Sequence, residues 1–384
     1  MKRVDGISPP ASLAHVAVSP ILESMPLREL ILLCQTNKEF AERYKLIMSD
    51  IARRLVEEQP LFVLRKCAIN RATDYRLRLT CCHRLGPSPI TISAGYNHCL
   101  ALLANGEIIG WGSDVHGEIS GSRAALPDGR HYVAIAAGSE FSVGILDNGH
   151  VVQWGLAGGD VPVLPEGRRC VSVSARSHVL ALLDDGQVVG WRANGFRQST
   201  GGADALPAGR RYVAISAGCL CSLGLLDDGR VVSWGLRATT LSHGAAVALP
   251  KGRRYVSISA GDGFGVGLLD NGHIVDWGYG VDSRSVRSGA DVNNLWYIRQ
   301  GKRFIGVSAG MMHALALLDN GHVVGWRNDE ASDDSSDGEN EDIAEATHRL
   351  QDGGGRRYLD ISAGSNISMG LGDNLQVIRW GRFL

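Results

Sequence analysis

The sequence predicts an all-β ring of repeated three-stranded meanders preceded by a small α-helical domain, and three observations carry that prediction. Tryptophan recurs near the end of a short apolar strand at Trp111, Trp154, Trp191, Trp234, Trp277, Trp326 and Trp380. Before most of these strands stands a tight-turn signal, Asp-Asn-Gly or Asp-Asp-Gly, beginning at Asp147, Asp184, Asp227, Asp270 and Asp319. Its central residues favour positive φ, the requirement of a two-residue hairpin. Most units also open on a short apolar run that ends in Ser-Ala-Gly, at Ser93, Ser216, Ser259, Ser308 and Ser362. A period of about 40 to 45 residues with several strands per unit is that of propeller blades. Seven copies predict a seven-bladed β-propeller over 90–384.

Within one unit the first strand reads as alternating. In Tyr212-Val213-Ala214-Ile215-Ser216, Val213 and Ile215 should share one face. The glycine of Ser-Ala-Gly is expected to supply positive φ for a sharp turn. The second strand always holds a small residue at one place, namely Ala101, Gly144, Ala181, Gly224, Gly267, Ala316 and Gly370. A glycine inside a strand usually marks the close approach of another backbone, here a neighbouring blade or the crowded ring centre. Two units depart from the pattern and should have altered turns: the third has Arg176 after Ser174-Ala175, and the seventh has Leu375 where the hairpin glycine belongs.

A basic pair precedes the first strand in six units (Arg130-His131, Arg168-Arg169, Arg210-Arg211, Arg253-Arg254, Lys302-Arg303 and Arg356-Arg357). Antiparallel pairing puts these beside the aspartates of the hairpins, so a rim of structural ion pairs is expected, with a binding rim for nucleic acid or an acidic partner as the other reading.

Composition bounds the function. A chain of 384 residues, 44% hydrophobic and 21% charged, with formal net charge -1, is ordinary globular material without a global pull toward nucleic acid or anionic membranes. Residues 1–12 read as a flexible polar tail, lacking the apolar core of a signal peptide, and no run approaches the roughly 18 apolar residues of a membrane span. Together with eight cysteines lacking zinc spacing, this predicts an intracellular protein, cytoplasmic or nuclear, with free thiols.

Residues 13–60 turn helical. Leu27, Leu30, Ile31 and Cys34 recur at helical spacing after Pro26, which suits a first turn. A second helix is expected over 45–58, ended by Pro60. The series Ile21-Leu22, Met25-Pro26-Leu27, Leu30, Leu33-Cys34, Phe40 resembles the F-box. That resemblance implies docking on the Skp-type adaptor of a ubiquitin ligase, with Leu22, Pro26, Leu27, Leu30, Leu33 and Phe40 as the contacting residues. Read without it, the same stripe is a helical cap packed on its own apolar face. Residues 61–89 are basic and read as a helical connector. They lack the aromatics a nucleic-acid surface would stack on bases.

The repeats from Ile90 onward, with Ile-Ser-Ala-Gly, Asp-Asn/Asp-Gly and Val-Val-x-Trp-Gly, resemble those of the regulator of chromosome condensation family. The resemblance implies a seven-bladed propeller. Some members of that family exchange guanine nucleotide on a small GTPase or act on chromatin, so these are alternative functions to substrate recruitment. The connections from Trp-Gly to the next basic pair vary, longest after Trp277 and Trp326, and long connections on a rigid scaffold carry binding surfaces. The one after Trp326 contains an acidic insert over 328–347, expected to be disordered. It lacks the terminal carboxylate of a calcium loop.

Enzyme signatures are missing from the sequence: no Walker loop, nucleophile elbow or His-Glu-x-x-His. His98, His178 and His313 share one place in three units and are expected to hold strand-end turns, while His150, His273 and His322 should face solvent. The expected function is therefore a non-enzymatic protein-binding scaffold without cofactor or metal.

Overall fold

The computed structural model describes residues 88–156, 160–236, 238–278, 301–327, 357–365 and 367–381. The F-box-like segment, most of the basic connector and the acidic insert lie outside the described residues. Seven three-stranded antiparallel sheets follow one another, each made from consecutive strands. Blade 2 is representative, with an inner strand Tyr132–Ala137, a middle strand Phe141–Leu146 and an outer strand Val151–Gly155. The fold is a seven-bladed β-propeller.

Middle strands are buried along their whole length in all seven blades. They pack on both sides because the core lies between neighbouring blades: Phe264, Val266 and Leu268 of blade 5 share one cluster with Phe304, Val307 and Trp326 of blade 6. Burying both faces of a strand removes the period-2 alternation seen in half-buried sheets.

The inner strand of blade 1 alternates in burial, whereas those of blades 2, 3, 4, 6 and 7 do not. In each blade the inner–middle register shifts near the start of the inner strand, as between Tyr212 and Ala214. The irregularity sends Val213 toward one cluster and Ile215, with Tyr212, into another. An extra residue in a ladder turns the side chains beyond it to the other face.

The small residue of the middle strand is explained by an aromatic ring and not by a backbone. A Cβ on Gly144 would lie 2.5 Å from the Tyr132 ring and 3.3 Å from Trp154. The same sandwich recurs at Tyr212, Gly224 and Trp234, at Tyr255, Gly267 and Trp277, and at Tyr358, Gly370 and Trp380. Where the first residue of the inner strand is Pro89, Cys170 or Phe304, the middle strand has alanine at 101, 181 or 316. Three of the tyrosines also donate their hydroxyl to the connector before the blade, Tyr132 to Ser122 O, Tyr212 to Gly202 O and Tyr255 to Ala245 O. These connectors carry short helices, Gly121–Ala124 and Gly202–Ala205, and a longer one, Ala238–Ala248, that buries Leu241 and Ala245.

The Ser-Ala-Gly glycines do not have positive φ. Glycine is needed there because the next blade comes too close for a side chain: a Cβ on Gly95 would lie 2.3 Å from Gly138 O, and one on Gly364 would lie 2.3 Å from Gly95 O. The serine of the triplet joins blades. Its Oγ accepts the N–H of the next blade's alanine, from Ser93 (Ala137 N, 2.9 Å) to Ser362, which receives Ala94 N at 2.9 Å and closes the circle. Ser174, Ser216, Ser259 and Ser308 repeat the bond, and blade 2, with Ala136, lacks it.

Candidate interaction face and the central channel

Meander topology gives the ring two faces. One carries the Asp-x-Gly hairpins with the basic pairs, and the other carries the inner–middle turns and the departing connectors.

On the hairpin face the expected ion pairs form. Arg130 reaches Asp147 at 3.4 Å, Arg168 reaches Asp185 at 3.0 Å, Arg210 reaches Asp228 at 3.3 Å and Arg253 reaches Asp270 at 3.6 Å. Each pair is partly exposed and contributes little on its own. The second basic residue is held by its backbone, His131 O accepting Asp147 N and Arg211 O accepting Asp227 N, both at 3.1 Å. Its side chain packs over the preceding blade's hairpin glycine: a Cβ on Gly186 would meet Arg211 Cβ at 2.5 Å.

Blade 7 keeps this turn geometry despite Leu375, contrary to the sequence expectation. Leu375 takes φ 62° and donates its N–H to Gly372 O. Its neighbour is blade 1, which begins at Pro89, so the close basic contact that demands glycine elsewhere is replaced.

The opposite face is less self-satisfied. Backbone bonds join five neighbouring pairs of its turns, Tyr96 N to Gly138 O, Ser139 N to Arg176 O, Asp262 N to Met311 O, Met311 N to Gly364 O and Ser365 N to Gly95 O, and the Ser177 hydroxyl donates to Cys219 O between blades 3 and 4. Three turns raise apolar side chains into solvent: Tyr96 is 38% exposed, Leu220 38% and Met312 54%. Blade 3 is distinct here. Its turn is one residue shorter, with Arg176 N bonding His178 O where Gly138 N bonds Phe141 O, so the expectation of an altered turn holds there.

Arginine also replaces glycine twice more near blade 3. Arg192 has φ 72°, where Gly112, Gly155, Gly235 and Gly278 have φ 97° to 115° at the same place. Its guanidinium lies 3.7 Å over the Phe141 ring and donates to Leu156 O, and burial lowers its pKa against the opposing effect of Glu140. Arg197, at φ 60°, stands where the connector after blade 1 has Gly117 and pairs with Asp204.

The three histidines link blades, and His178 also meets its own turn, its Nδ1 lying 3.4 Å from Ser177 Oγ. His98 Nε2 is 2.8 Å from Ser142 Oγ, His178 Nε2 is 2.6 Å from Ser222 Oγ and His313 Nε2 is 2.8 Å from Ser368 Oγ. Each pair spans one blade and the next. A His–Ser pair suggests an activated nucleophile, but Ser142 and Ser222 are fully buried and donate their protons to Glu118 O and Gln198 O. The serine oxygen is therefore the acceptor and the imidazole Nε2–H the donor. Burial pushes both His98 and His178 down to about 4 from 6.5, in His98 against the charges of Glu118 and Asp114. They are neutral structural groups. His150 and His273 are exposed, and His322 is half-buried.

Trp154, Trp191, Trp234, Trp277, Trp326 and Trp380 are buried and Trp111 is half-buried. Trp154 and Trp234 donate to the same carbonyls as the serines, those of Glu118 and Gln198. The described cysteines, Cys99, Cys170, Cys219 and Cys221, are free, and no metal-holding cluster occurs among the described residues. No helix among them is long and apolar enough to cross a membrane. Leu22, Pro26, Leu27, Leu30, Leu33 and Phe40 lie outside the described residues.

The inner strands enclose an axial channel of about 120 Å³, lined by serine, threonine, alanine, valine and isoleucine, with Arg176 at its mouth. The Arg176 side chain reaches across the ring, Nη2 donating to Ala309 O of blade 6 at 3.2 Å.

This architecture defines a seven-bladed β-propeller, and comparison with known proteins finds likeness to one repeat and to the fold. A family model described as the regulator of chromosome condensation (RCC1) repeat matches residues 90–118, blade 1 and the start of its connector. Among solved structures, the ectodomain of the Arabidopsis thaliana receptor kinase ACR4 aligns with TM-score 0.54 and 18% identity over 77% of this chain and 98% of that one. Prp20p from Saccharomyces cerevisiae aligns with TM-score 0.53 and 19% identity over 73% of this chain and 82% of its own. Human WBSCR16 aligns with TM-score 0.54 and 16% identity, covering 73% and 86%. At these identities the likeness is one of fold. No curated protein sequence matches the chain.

Proposed function

We propose that the protein is a non-enzymatic scaffold whose propeller binds a protein partner through the face around the channel mouth. The observation that carries this reading is the contrast between the two faces. The hairpin face spends its charges on its own ion pairs, whereas Tyr96, Leu220 and Met312 present apolar surface to solvent. Exposed apolar and aromatic side chains on a rigid frame are anchors for protein contact. Prp20p, which shares the fold, binds Gsp1p and histones.

The finer reading rests on the sequence of residues 21–40. There the F-box-like series docks a Skp-type adaptor and the propeller presents a substrate for ubiquitin transfer. Capture of the adaptor by the full chain, lost in Leu30→Asp with Leu33→Asp, is the expected result, and no capture rejects this half of the proposal. The second reading is nucleotide exchange on a small GTPase, supported by the Gsp1p binding of Prp20p. Nucleotide release from a panel of small GTPases tests it, and a flat panel removes it. For either partner of the propeller, Tyr96→Asp with Leu220→Asp and Met312→Asp should abolish capture while Arg210→Ser on the hairpin face leaves it intact.

A further inference from the structure

The axial channel has a chemistry that protein docking on the outer face does not use. Seven serines line it, Ser172 and the six that accept the inter-blade alanine N–H groups. A hydroxyl that accepts a bond still has a proton to give, and none of the six gives its proton to an acceptor among the described residues. Ser216, Ser308 and Ser362 are 9%, 6% and 7% exposed, so these protons are directed within the ring and not to bulk water.

Arg176 supplies the one charge in the channel lining. A guanidinium has five N–H donors. One goes to Ala309 O, and another contact is to the Cys219 thiol. The backbone bond that closes this shorter turn, Arg176 N to His178 O, does not use the side chain. Among the described residues no carboxylate lines the channel. The nearest acids are accounted for, with Asp360 accepting the Thr91 hydroxyl at 3.3 Å and Asp262 standing beside Cys219 at the mouth.

A small cavity with many donors, one guanidinium and no carboxylate is complementary to an anion. We infer that the central channel binds a small oxyanion of the phosphate or sulfate class, with Arg176 as its charged ligand and the inner-strand serine hydroxyls as its neutral donors. A bare cation would meet the wrong charge, and an apolar ligand would leave the hydroxyls unpaired. The volume of about 120 Å³ admits one such ion with accompanying water.

Isothermal titration of the full chain with inorganic phosphate and with sulfate tests the inference, together with a selenate soak that locates the ion by anomalous scattering. Saturable binding with selenate on the ring axis is expected. Arg176→Gly, which keeps the backbone N–H that closes the turn on His178 O, should weaken binding about tenfold or more. Ser216→Ala with Ser308→Ala should weaken it by a smaller factor, and Arg197→Gly, on an outer connector, should leave it unchanged. Absence of binding at millimolar phosphate overturns the inference. So does binding that survives Arg176→Gly undiminished, which would mark an adventitious ion only. A phosphoserine peptide that binds more tightly than inorganic phosphate, and is lost with Arg176, would assign the same site to an oxyanion carried by a partner.

Discussion

The ring of Tyr212 covers Gly224 so closely that a Cβ on the glycine would lie 2.2 Å from the phenol Cε1, with Trp234 closing the sandwich at a centroid distance of 5.6 Å from the tyrosine. Gly224→Ala should therefore destabilise the propeller by about 1–3 kcal/mol through overpacking. In a Tyr212→Cys background, which reproduces the Cys170 and Ala181 pairing of blade 3, the same substitution should cost less than about 1 kcal/mol. Denaturant unfolding of the four proteins measures the coupling. Equal costs in both backgrounds would refute the pairing.

Glycines with similar φ should differ sharply in their tolerance of alanine. Gly209 has φ 72° with open space around its Cβ position, while Gly186 has φ 85° and would place a Cβ 2.5 Å from that of Arg211. Gly209→Ala should cost only the left-handed strain, about 1 kcal/mol, and Gly186→Ala at least about twice that. Unfolding midpoints of the two variants decide the point, and similar losses would mean that contact with the next blade plays no part.

Acid should loosen the ring. His98 and His178 have pKa values of about 4 in the folded chain, below their ordinary 6.5. The unfolded chain then binds more protons between those values, so this contribution to stability is complete above about pH 6.5. It is lost as pH falls toward 4, at up to about 1.4 kcal/mol per pH unit for each histidine. Replacing one pair by the apolar one found between blades 2 and 3, as His178→Phe with Ser222→Val, should flatten part of that slope. A slope unchanged in the double variant would show that the titration resides elsewhere.

The inner serine bonds skip one joint, between Ala136 and Ala175. Ala136→Ser restores the missing acceptor and should stabilise by about 0.5–1.5 kcal/mol, whereas Ser216→Ala strands the Ala260 N–H and should cost about 1–3 kcal/mol. Equilibrium unfolding of both variants provides the check, and a neutral Ser216→Ala would remove the serines from the account of blade cohesion.

Blade number, strand order and the rim of ion pairs were legible in the sequence because they depend on local periodicity and on antiparallel neighbours. What escaped was contact between blades. The glycine at 224 read as a backbone crossing because the Tyr212 that overlies it is 12 residues earlier in another strand. The histidines read as turn holders, although the serine partner is in the next repeat, and the signal was there: His98, His178 and His313 are each followed one repeat later by Ser142, Ser222 and Ser368. The exposed Tyr96, Leu220 and Met312 could not be separated from core positions by pattern alone, since exposure at a ring mouth is set by closure. Arg176 stood out only as a broken motif. Its reach to Ala309 needs the diameter of the ring.

Because every blade is made from one unbroken run of chain, the joint between blade 7 and blade 1 repeats the one between blades 1 and 2, with Ala94 N donating to Ser362 Oγ and Ser365 N to Gly95 O. Among the described residues no strand from one end of the propeller completes a sheet begun by the other. A circular permutant opened in any connector between blades and joined across this seam would keep all seven sheets intact, so the order of synthesis along the propeller carries no information about its shape.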